Sequence, residues 1–132
     1  MLITQPLYDD DRGRSILIVD DEEIILELLT GALKIYGFKD FTAGDGVEGL
    51  RIFDNECIDI VLTDIEMPGL NGVELAAHIQ NRSPNTKIIV MTGGHEDVGN
   101  KLVEDGTADH CFLKPFSISN LCKTLTAECQ VI

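Results

Sequence analysis

The chain has 132 residues, enough for one domain and too few for two that would each bury a stable core. Its formal net charge is −13, from 23 acidic and 10 scattered basic residues, which argues against nucleic-acid binding through clustered Lys and Arg. No apolar run nears the roughly 20 residues that span a bilayer, and the start MLITQPLYDDDRGRS lacks the basic segment and apolar core of a secretory signal. The expectation is a soluble cytoplasmic protein with no membrane association.

Residues 1–14 are polar and acidic, contain Pro6 and Gly13, and read as a flexible tail ahead of a domain over 15–132. From Ser15 onward, apolar runs alternate with helical patterns. SILIVD (15–20) is a short apolar run ending in acid, as expected of a strand buried on both faces. EEIILELLTGALKIYG (22–37) predicts a helix, with acids in its first turn, Lys34 in its last and Gly37 to stop it. FKDFTA (38–43) is a weaker strand and GVEGLRIFDNE (46–56) a shorter helix. CIDIVLTD (57–64) is a second buried strand, again ending in acid. NGVELAAHIQNR (71–82) is helical and stops before Pro84. TKIIVMT (86–92) is a strand, EDVGNKLVEDG (96–106) a helix weakened by Gly99, and DHCFLK (109–114) a strand. SISNLCKTLTAE (117–128) closes the series as a helix with Ser117 as its N-cap.

Five strands in strict alternation with five helices predict an α/β fold, a parallel sheet with helices on both faces. In such sheets ligands bind at the carboxyl ends of the strands. Those ends hold Asp20 and Asp21, then Asp64, then Thr92 with Gly93 and Gly94, then Lys114 with Pro115. Three carboxylates and one ammonium leave an excess of negative charge, so one carboxyl must have a raised pKa unless a cation is present. Hard oxygen ligands suit Mg2+ (or Mn2+). Helix capping accounts for one of Asp20 and Asp21 but not for Asp64 and Lys114 on the same rim. There is no phosphate-binding glycine loop for a nucleotide and no nucleophile elbow. What remains suits covalent phosphoryl transfer to a carboxylate. Cys57, Cys111, Cys122 and Cys129 have no metal-site spacing and read as small buried hydrophobes, while His78, His95 and His110 stand isolated in the sequence.

The strings LIVDDEE (17–23), LTDIEMPGLNGVEL (62–75), MTGG (91–94) and FLKPF (112–116) resemble the signature of bacterial response-regulator receiver domains. The resemblance covers residues 15–128 and is to a stand-alone, chemotaxis-receiver-like chain, since no output domain follows within these 132 residues. It implies a flavodoxin-like doubly wound (βα)5 fold with sheet order 2-1-3-4-5. It implies that Asp64 accepts a phosphoryl group from a phosphohistidine on a sensor histidine kinase or a histidine phosphotransfer protein. Asp21 and Asp64 would bind the metal directly, Asp20 through water, and Glu66 through its backbone carbonyl. Thr92, Lys114 and the Gly93 N–H would contact phosphoryl oxygens. The Lys114–Pro115 bond would be cis, and the protein would not be a turnover enzyme.

Two other readings are open. Asp64-Ile65-Glu66 also resembles the paired acids of haloacid-dehalogenase-type phosphatases, but there the motif ends the first strand, and here it ends the third. A pseudo-receiver acting only as a binding module would not need the polar set that is present. Two further features bear on partners and output. Ile25, Leu29, Ala32 and Tyr36 share one face of the first helix, with Ile24, Ile35 and Leu26 at its margins. That arc exceeds the roughly 100° stripe a surface helix needs, so the surplus edge either sinks into the core or docks a helical phosphotransfer partner. Cys111, in turn, stands where receivers usually carry Tyr or Phe, and it is too small to fill space by swinging inward. The neighbours His110 and Phe112 should point to the opposite face of the strand.

Overall fold

The computed structural model describes residues 14–129; the tail expected over 1–14 thus lies, except for Arg14, outside the described residues. Five strands and five helices alternate: β1 (Ser15–Val19), α1 (Glu23–Ile35), β2 (Lys39–Ala43), α2 (Gly46–Asn55), β3 (Ile60–Asp64), α3 (Gly72–Arg82), β4 (Lys87–Thr92), α4 (Glu96–Glu104), β5 (His110–Leu113) and α5 (Ile118–Cys129). All strand pairs are parallel and the sheet order is 2-1-3-4-5. The expected fold is therefore the observed one.

β1, β3 and β4 are built on apolar runs, Ile16–Val19, Ile60–Leu62 and Ile88–Met91, because both of their faces are covered. Their side chains alternate between two cores. Leu17, Val19, Val61 and Val90 pack with Leu75 and Ile79 of α3 and Leu102 of α4. Ile16, Ile18, Leu62 and Met91 pack with Leu29 and Leu33 of α1 and Leu121 and Leu125 of α5. Fully burying a side chain of this size contributes about 1.5–3 kcal/mol.

The helix ends follow local chemistry. Asp45 caps α2 by accepting from the Glu48 N–H, and Asn71 and Glu74 form a reciprocal capping box on α3. Ser117 Oγ accepts from the Asn120 N–H at the start of α5. Gly37, at φ +87°, turns the chain after α1 in a conformation that suits glycine.

Three expectations need correction. Tyr36 does not join the buried face of α1. The helix ends at Ile35, Tyr36 is its C-cap and is 55% exposed, and Leu33 is buried instead. The cysteines are not uniformly core residues: Cys122 is buried, but Cys111 is half-buried and Cys57 is exposed. β3 starts at Ile60 and not at Cys57, because Asp59 is drawn aside to accept from the Ser15 N–H at 2.9 Å.

Candidate functional site

The carboxyl ends of β1, β3, β4 and β5 form one rim, and the polar residues that terminate those strands meet there. Asp20 is wholly buried and Asp64 nearly so, while Asp21 is exposed. One carboxylate oxygen from each of the three lies within 4.8 Å of the other two. Lys114 reaches across from the end of β5. Its Nζ donates to Asp20 Oδ2 at 2.9 Å and stands 3.4 Å from Asp64 Oδ2 and 3.7 Å from Glu22 Oε1. The Lys114–Pro115 bond is cis, as expected.

Backbone geometry fixes the acids. Asp20 Oδ1 accepts from the Glu22 N–H at 2.9 Å, and the Asp20 N–H donates to Ala43 O at 3.1 Å. Asp64 is the last residue of β3, directly beneath the first turn of α3. A Cβ added to Gly72 would fall on the Asp64 carbonyl, so only glycine allows this close approach. Asp64 Oδ1 is buried and has no hydrogen-bond partner among the described residues.

The electrostatics follow from burial. Desolvation pushes the Asp64 carboxyl up to about 6, against the pull of Lys114 and with help from the charges on Asp20 and Glu66. The raised carboxyl expected from crowding is Asp64 itself. Burial also works against the Lys114 ammonium, but its bond to Asp20 and the charges on Asp20 and Asp64 outweigh burial and raise its pKa.

Thr92 and Glu66 form a second group beside the acids. Thr92 is fully buried at the end of β4, and its hydroxyl donates to Glu66 Oε2 at 2.5 Å. The same carboxylate oxygen is 2.7 Å from His95 Nδ1. Burial pushes the Glu66 carboxyl up, but its bonds to Thr92, His95 and the Gly93 backbone hold it below the usual range. Gly93 lies in the exposed loop after β4. The structure thus brings Asp20, Asp21, Asp64 and Lys114 together and turns the Thr92 hydroxyl toward Glu66.

Two residues of the rim escaped the sequence reading. Glu22 lies within ion-pair range of Lys114, and His95, isolated in the sequence, is tied to Glu66. Both sit just past a strand end, so the strand-end rule, extended by two or three residues into each loop, would have found them.

The donor set fits a divalent cation. An orphaned buried carboxylate oxygen sits in a cluster of three acids that Lys114 alone does not neutralise. Fold and rim define a flavodoxin-like α/β protein with an acidic, cation-seeking strand-end site. Residues 16–126 match the response regulator receiver domain, and the chain belongs to that family. Among curated relatives, sporulation initiation phosphotransferase F of Bacillus subtilis (strain 168) is 36% identical over 110 residues, covering 83% of this chain and 88% of that protein. The regulator of RpoS of Escherichia coli (strain K12) is 33% identical over 129 residues, 96% of this chain, which spans only 36% of the relative's length. The response regulator TrrA of Thermotoga maritima, solved in complex with Mg2+ and BeF, superposes with a TM-score of 0.79 at 34% identity, covering 87% of this chain and 98% of that one.

Proposed function

We propose that residues 15–132 form a receiver that accepts a phosphoryl group on Asp64 in the presence of Mg2+ (or Mn2+). The observation that carries this reading is the Asp64 carboxylate: one oxygen faces Lys114, and the other is buried beside Asp20 and Asp21 with no hydrogen-bond partner among the described residues. Asp20, Asp21, Asp64 and the Glu66 backbone carbonyl would hold the cation. When bound, the cation supplies positive charge against the oxygens of the transferring group.

Asp64 attacks the phosphorus of a phosphohistidine. The new bond is carboxylate oxygen to phosphorus, the phosphorus–nitrogen bond breaks, and its electron pair leaves with the imidazole. Lys114 neutralises charge on the phosphoryl oxygens, and the Thr92 hydroxyl and the Gly93 N–H donate to them. The product is an acyl phosphate that alters the loops around it. No phosphomonoester turnover is expected, which separates this reading from a haloacid-dehalogenase-type phosphatase. The Glu66 carboxylate favours the same side, since it is bonded to Thr92 and His95.

The proposed donor is a sensor histidine kinase or a histidine phosphotransfer protein in the cytoplasm. A segment similar to this chain occupies 13% of the sensor histidine kinase RcsC of Escherichia coli (strain K12), at 32% identity. The acceptor site has an apolar border suited to such a partner. Of the margins of the α1 face, Ile24 is 77% exposed and Leu26 packs partly buried against the core, so the Ile24 margin has not sunk into the core, and Leu28 is exposed as well. Beside it, Ile25, Leu28, Leu29, Pro115, Phe116 and Ile118 line a groove of about 300 Å³ with Lys114 at its edge. A helix bearing the phosphohistidine would lie there. The acidic surface disfavours nucleic acid as a partner of this domain, and no helix among the described residues is long and apolar enough to cross a membrane.

The deciding experiment is incubation with acetyl phosphate and Mg2+. The protein should gain one hydroxylamine-labile phosphoryl group, and Asp64→Asn should abolish it. Undiminished labelling of Asp64→Asn would overturn the assignment.

A further inference from the structure

Thr92 has a single hydroxyl proton, and in this structure it is committed. Oγ1 donates to Glu66 Oε2 at 2.5 Å and accepts from the His95 N–H at 2.8 Å and the Gly94 N–H at 3.3 Å. His95 closes a ring by placing Nδ1 2.7 Å from the same Glu66 oxygen. The end of β4 and one residue from each of two loops thus form one hydrogen-bonded circuit, which joins the segment after β3 to the segment before α4. A hydroxyl donates one hydrogen bond at a time. Thr92 cannot donate to a phosphoryl oxygen on Asp64 until it has released Glu66.

We propose that Glu66 and His95 are positioning residues that hold the Thr92 hydroxyl away from the acceptor and so set the threshold for the switch. The inference rests on Asp64 being the phosphoacceptor. Glu66 competes with the incoming phosphoryl group for one donor, and its carboxylate is a strong competitor because the bond is charge-assisted. His95 keeps Glu66 in place: with its ring bound to Oε2, the carboxylate stays over Thr92. When Thr92 turns to the phosphoryl group, Glu66 loses one of its two side-chain donors and the side-chain link between the two loops is reduced to the Glu66–His95 contact. The phosphorylation state of Asp64 is thereby reported at the N-terminus of α4.

The test measures affinity for beryllofluoride with Mg2+, and amide exchange in the protein without either. Binding by the wild-type protein that Asp64→Asn abolishes establishes the acceptor site; its absence overturns the underlying reading and the inference with it. Given binding, Glu66→Ala should tighten it about tenfold, the scale of one hydrogen bond to a charged group. In a Thr92→Val background the same substitution should tighten it by much less. Removing the negative charge of Glu66 could also favour an anion, but that effect would survive in Thr92→Val. His95→Ala should act in the same direction as Glu66→Ala and more weakly. In the unliganded protein, Glu66→Ala should speed exchange of the His95 amide, because Thr92 Oγ1 is then free to turn away from it. An effect of Glu66→Ala that is equal in both backgrounds, or unchanged His95 exchange in a variant that melts like the wild type, would refute the inference.

Discussion

Lys114 Nζ stands 3.4 Å from Asp64 Oδ2, yet the Asp64 carboxyl still titrates near 6. The ammonium is shared with Asp20 at 2.9 Å, and burial outweighs the attraction that is left. Asp64 is therefore destabilising when ionised and metal-free. A folded-state pKa raised above the ordinary 3.8 means that the stability from protonated Asp64 is fully present below pH 3.8 and lost as pH rises through about 6. Asp64→Asn should raise the stability of metal-free protein at pH 8 by about 1–3 kcal/mol. The gain should shrink as pH falls through the same window. Urea unfolding at several pH values checks this, and a loss of stability at pH 8 would contradict it.

Removing the ammonium should have the opposite sign. Lys114→Met leaves the wholly buried Asp20 beside Asp64 with no cation between them. Losing one member of a buried pair costs about 3–5 kcal/mol. The loss should be smaller in Mg2+, where the cation takes over part of the neutralisation. Thermal melts with and without Mg2+ measure both effects.

The exposed edge of α1 should matter for protein donors alone. Leu28→Glu adds charge at an exposed residue that lines the groove and should leave the fold intact. Transfer from a phosphohistidine partner should slow by about tenfold, the effect of losing one apolar anchor. Labelling by acetyl phosphate should not change, because that donor needs no docking face. Equal slowing with both donors would place the defect in the chemistry.

Cys111 has a packing partner that explains its size. A Cβ added to Gly99 of α4 would collide with Cys111 Sγ, so the glycine and the small thiol permit a close approach of α4 to β5. Gly99→Ala should destabilise the wild type by about 1–3 kcal/mol through overpacking. In a Cys111→Ala background the same change should stabilise by up to about 1 kcal/mol through helix propensity. A destabilisation of equal size in both backgrounds would show that the contact does not govern the site. Phe112 packs on the opposite face of the sheet, edge-on to Phe116 with ring centroids 5.7 Å apart, so it cannot replace an aromatic at 111. A beryllofluoride complex should accordingly show less rearrangement at β5 than receivers with a ring there.

The sequence by itself determined the elements and the polar ends of the strands. Buried parallel strands read as apolar runs, so Asp20, Asp64 and Thr92 were visible as the polar residues that close them. Alternation also dictated a parallel sheet, whereas the strand order came from the motif resemblance, because alternation is compatible with several orders. Only the tertiary structure decided which way the side chains beyond the strand ends turn. Glu66 meets Thr92 across 26 residues of chain and His95 across 29, and Gly99 meets Cys111 from a different element. Periodicity records which face of its own element a residue occupies. It carries no information about a partner on another loop, whose position is set only when the sheet has assembled.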